Sequence, residues 1–134
     1  MNRRSKAKLV RRSLAVIFVC SLALSSLAEG VKRKIQFERG SSSATVRGNV
    51  VRGDRDRYYL GAKKGQTMSV KITSPEDNAV FQIYLPGEEK SLKGAGDEDD
   101  ATDWSGELPA DAEYVIVVGG TRGNASYTLK VSIE

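Results

Sequence analysis

Gly53–Ile72, GDRDRYYLGAKKGQTMSVKI, is the stretch whose reading decides the fold. In its first half Asp56, Tyr58, Leu60 and Ala62 fall on one face of an extended chain, and in its second half Met68, Val70 and Ile72 do. A period of two marks half-buried strands, whereas on a helix the same residues would scatter around the axis. Between the halves, Lys63, Lys64, Gly65 and Gln66 read as a tight turn. Gly65 can supply the positive φ such turns need, and the two lysines keep the tip in water. The expectation is a hairpin.

The alternation continues on both sides. Ile35 and Phe37 share a face in a first strand over 31–37, and Ala44, Val46, Gly48 and Val50 share one in a second over 43–51. Past the central pair, Pro75–Asn78 make a turn, and Ala79, Phe81, Ile83 and Leu85 face inward until Pro86 and Gly87 end the strand. Glu88–Asp103 is polar; Trp104 and Leu108 then mark a short edge strand. Tyr114, Ile116 and Val118 point inward, but Val115 and Val117 make the opposite face apolar too, so that face is expected to be covered. Tyr127, Leu129, Val131 and Ile133 line the last strand. About seven or eight short strands separated by turn signals, with no helical pattern, predict an all-β antiparallel β-sandwich.

Residues 1–28 read differently. Six cations between Arg3 and Arg12 precede the apolar run Leu14–Ala28, the pattern of a signal peptide cut before Glu29. The run is too short to cross a bilayer comfortably, so no transmembrane anchor is expected after cleavage. Cys20 lies inside it, preceded by Val19 and followed by more apolar residues, which does not fit a lipidation site. The expected mature chain, 29–134, is a single exported domain, periplasmic or secreted, with no thiol to form a disulfide. Its charge also changes sign: without the six leader cations, 15 Lys and Arg face 17 Asp and Glu. The basic composition of the whole chain therefore does not indicate nucleic acid. Residues 29–71 carry net +7 and 72–134 net −9, an asymmetry that two interleaved sheets would blur.

The chemistry available is limited. The mature chain has no His and no Cys, which removes the usual general base, the thiol nucleophile and the commonest zinc ligands. Asp97, Glu98, Asp99, Asp100 and Asp103 are the densest cluster and the weak candidates for a Ca²⁺ site, but they lack the alternating ligands and central glycine of a calcium loop. The expectation is an acidic loop without a cofactor, in a protein that is not an enzyme. Binding is the remaining class: Arg122, framed by glycines in GGTRGN, can offer a carboxylate a bidentate fork, and Arg55 and Arg57 precede the Tyr58–Tyr59 strand.

From Phe37 to Glu134 the order FERGSSSATVRGNV, GDRDRYYLGAKKGQTMSVKI, NAVFQIYLPG, WSGELPADAEYVIVV, ASYTLKVSI resembles the bacterial pre-peptidase C-terminal type of jelly-roll sandwich. Within that set, an exported copy with FERGSSSA and the AKKGQ turn is most similar to the periplasmic inhibitors of g-type lysozyme. In one place it departs from them: the loop before Tyr58, tyrosine-rich in those inhibitors, is Gly53–Arg57 here. The resemblance implies a binding module that occludes a lysozyme's substrate groove; the residues whose own chemistry suits a carboxylate-lined cleft, Arg55, Arg57 and Arg122, are with Tyr59 the expected partner-binding residues. The other function it allows is a polysaccharide or cell-surface binder using Trp104, Tyr59 and the acidic loop.

Overall fold

The computed structural model describes residues 30–134; the expected leader and Cys20 lie outside the described residues. The strands are β1 (Lys32–Lys34), β2 (Ser43–Val50), β3 (Asp56–Ala62), β4 (Thr67–Thr73), β5 (Ala79–Tyr84), β6 (Asp103–Glu107), β7 (Ala112–Gly120) and β8 (Ala125–Ile133). They form two four-stranded sheets, β1-β3-β7-β5 and β2-β8-β4-β6. Each sheet takes two strands from the basic half of the sequence and two from the acidic half, so the charge asymmetry is interleaved. Among the described residues no helix is long and apolar enough to cross a membrane.

The expected sandwich is present, but two local expectations need correction. The central stretch is not a hairpin. β3 pairs with β1 and β7 while β4 pairs with β6 and β8, so the chain crosses from one sheet to the other through Lys63–Gln66. The turn is tight as expected, with Gly65 at φ 90°. Its free backbone groups are taken by the loop before β7: Gly65 N donates to Leu108 O (2.9 Å) and Leu108 N to Gln66 O (2.8 Å). Period-two alternation shows that each strand has a buried face; it cannot distinguish faces in one sheet from faces that look at each other across a core. The second correction is β1, shorter than expected and parallel to β3, whereas every other ladder is antiparallel. Ile35, just past its end, is buried as its alternation requires.

The core fills with the predicted inward residues: Tyr58, Leu60, Phe81, Ile83, Tyr114, Ile116 and Val118 from one sheet, and Met68, Val70, Ile72, Leu129 and Val131 from the other. One polar cluster joins the sheets within it. Tyr58 and Tyr127 hydroxyls lie 2.5 Å apart, Tyr127 Oη donates to Asp56 Oδ2 (2.5 Å), and Val31 N donates to Asp56 Oδ1 (2.8 Å). Because each hydroxyl has one proton, Tyr58 must donate to Tyr127. Asp56, on the same face of β3 as Tyr58 and Leu60, is 1 % exposed and anchors both the start of β3 and the chain entering β1.

Candidate functional site

The outward face of the β1-β3-β7-β5 sheet is built from in-register rows. One row runs Tyr59, Val115, Tyr84 and the next Arg57, Val117, Gln82. Val115 and Val117 are each 3 % exposed, so this face is covered, as their place in the sequence predicts. The cover comes from side chains on either side of β7. Arg57 Nε reaches Glu88 Oε2 at 3.0 Å and Oε1 at 3.2 Å, a charge-assisted contact between a β3 residue and the turn after β5. Glu88 holds φ at 55°, in the left-handed region non-glycine residues avoid.

Arg55 joins this face from the loop before β3. Its guanidinium lies over Gly119 of β7, where a methyl group would overlap Nη1 and meet Cδ at 3.2 Å. Tyr84 lies within the same electrostatic neighbourhood. Burial pushes its hydroxyl above the ordinary tyrosine value, the Asp97 and Glu88 carboxylates push the same way, and Arg55 and Arg57 oppose them.

Arg122 stands at the end of the sandwich where β7 leaves Gly119 and Gly120, the same end as Arg55. Its loop is fastened from below by Asn78, 2 % exposed, whose Nδ2 donates to Arg122 O and Asn124 O, both at 3.0 Å. Arg122 Nη2 donates to Glu76 O (2.6 Å), tying the loop to the β4–β5 turn. The structure therefore brings Arg55, Arg57 and Tyr59 onto one face and places Arg122 at its end. Sequence reasoning missed Glu88, Tyr84 and Asn78. Tyr84 was legible as an outward residue of β5, but nothing in the sequence pairs Glu88 with Arg57 or places Asn78 beneath the Arg122 loop.

The remaining candidates do not converge. Asp99 Oδ2 accepts from Gly96 N (2.7 Å) within its own loop, and Asp103 points outward from β6 in register with Lys71. Among the described residues no three acidic, His or Cys side chains are placed to hold a metal. The polar Glu88–Asp103 segment lies along the β5 edge, with Ile83 N donating to Ala95 O and Phe81 N to Ala101 O. Trp104 packs half-buried against the core and donates to Lys93 O (2.9 Å), which fastens that loop to β6, away from Tyr59 on the other sheet.

The candidate site of this β-sandwich is arginine and tyrosine over an apolar floor, the composition of a protein-binding surface. No family model matches the chain. The inhibitor of g-type lysozyme of Escherichia coli is 30 % identical over 115 residues, spanning 86 % of this chain and 78 % of that protein. The crystal structure of the Aeromonas hydrophila periplasmic inhibitor of g-type lysozyme superposes with a TM-score of 0.69 at 34 % identity, covering 79 % of this chain and 98 % of that one. The pre-peptidase C-terminal domain of a Bacillus anthracis collagenase shares the fold at a TM-score of 0.54 and 12 % identity, over 78 % and 96 % of the two chains. The chain belongs to the family of inhibitors of g-type lysozyme.

Proposed function

We propose that this protein is a periplasmic inhibitor of a g-type lysozyme, acting by placing the Arg55–Arg57–Tyr59 face and the Arg122 loop against the enzyme's substrate groove. The observation that carries the site is the convergence of these arginines and tyrosines over the buried Val115 and Val117. Arginine and tyrosine dominate binding hot spots because each gives large contact area together with polar reach. A cleft lined with carboxylates suits Arg55 and Arg122, whose exposed side chains end the sheet, and the glycan is then excluded by occupancy without a chemical step.

The test is clearance of a peptidoglycan suspension by g-type, c-type and i-type lysozymes with and without the mature domain. The g-type enzyme should slow at micromolar domain; undiminished clearance would sink the reading. Arg55→Ala, Arg57→Ala and Arg122→Ala should each weaken inhibition by about 1 kcal/mol or more while leaving the fold intact. Full inhibition by all three variants would move the contact to another surface.

A further inference from the structure

The outer face of the other sheet carries a different arrangement. Across its four strands one row runs Thr45, Lys130, Lys71, Asp103, and the next runs Ser43, Ser132, Ser69, Ser105. All of these residues except Ser105 line a groove of about 420 Å³. Lys130 and Lys71 stand directly opposite each other on neighbouring strands, and neither makes an ion pair among the described residues. Like charges so placed destabilise a sheet, and an anion seated between them reverses the sign. The surrounding hydroxyls can donate or accept as a ligand requires; Ser69 and Ser105 already lie within 3.0 Å of each other.

What the groove lacks narrows the ligand. Neither row holds an aromatic ring on which a neutral sugar could stack. The apolar residues bordering the groove, Val70 and Val131, are each 1 % exposed and turn into the core, leaving only Ala44, which is too small to bury a peptide or helix. Asp103 leaves the lysine row with a single net positive charge, which suits a monoanionic carboxylate better than a phosphate dianion. Crossing four strands, each row spans about 14 Å, the reach of an extended polymer rather than a single small ion. We propose that this groove binds an acidic polysaccharide, its carboxylates seated between Lys71 and Lys130 and its hydroxyls on the serine row. It lies on the opposite sheet from Arg55, Arg57 and Tyr59, so the inference does not rest on the inhibitor reading.

The mature domain can be run by affinity electrophoresis in gels containing polygalacturonate, dextran sulfate or neutral dextran. Polygalacturonate should retard it relative to dextran, and Lys71→Gln with Lys130→Gln should weaken that retardation roughly tenfold, the loss expected for charge-assisted contacts. Because both lysines are exposed and their mutual repulsion is removed, the double variant should melt no lower than the parent domain and keep any inhibition of lysozyme. Equal mobility in polygalacturonate and dextran, or retardation that survives the double substitution, would overturn the site. Stronger retardation by dextran sulfate than by polygalacturonate would overturn the assignment to carboxylates.

Discussion

Removing one oxygen from Tyr127 would leave two buried groups without their partner, the Asp56 carboxylate and the Tyr58 hydroxyl. Tyr127→Phe should therefore lower unfolding free energy by about 1–3 kcal/mol, measured by urea denaturation. The same cluster sets the alkaline limit of stability. Burial raises the pKa of both tyrosines above the ordinary value of 10.0, and the Asp56 hydrogen bond raises Tyr127 further. The folded state thus holds these protons more tightly than the unfolded chain. Their contribution is complete below about pH 10 and is lost as pH rises toward the folded values, so stability should be flat through neutrality and fall beyond pH 10. In Tyr127→Phe that fall should be shallower; an equal slope would place the alkaline loss elsewhere. The tyrosine reaches across because Gly48 faces it on β2, where a methyl group would meet Tyr127 Oη at 2.5 Å.

At the scale of elements, the turn after β5 aims Glu88 at Arg57 and so places a carboxylate where a partner's carboxylate would otherwise approach. If the face docks on an acidic cleft, Glu88→Gln should tighten binding by roughly two- to fivefold, the range of a partly exposed ion pair. Equilibrium titration against the lysozyme measures it, and weaker binding would mean that Glu88 holds Arg57 in its productive pose. Strand positions and inward faces were legible in the sequence because burial repeats every second residue: Met68, Val70 and Ile72 are buried, and Thr67, Lys71 and Thr73 are exposed. Pairing was not legible. Nothing local to 53–72 distinguishes a hairpin from a crossing between sheets, since that depends on β7 and β8 arriving more than 40 residues later. The site was legible in part for the same reason. Arg57 and Tyr59 share a face by alternation, whereas the Glu88 contact spans 31 residues and Asn78 holds a loop 44 residues away.

On the scale of the whole molecule, the first and last of the described residues leave the sandwich at opposite ends. Gly30 sits where a Cβ would overlap the Arg55 carbonyl oxygen, beside the proposed docking face. Glu134 N donates to Thr67 O (2.9 Å), immediately after the Lys63–Gln66 crossing, at the far end of β3. The choice of attachment point for a sensor or display scaffold follows from this. Coupled to a chip through the carboxyl terminus, the domain should capture lysozyme with the affinity it has in solution. Coupled through a short tether placed just before Gly30, it should capture less, because the anchoring surface stands against Arg55. Equal capture in both orientations would indicate that the enzyme docks away from that end, and a fusion partner could then be carried at either terminus.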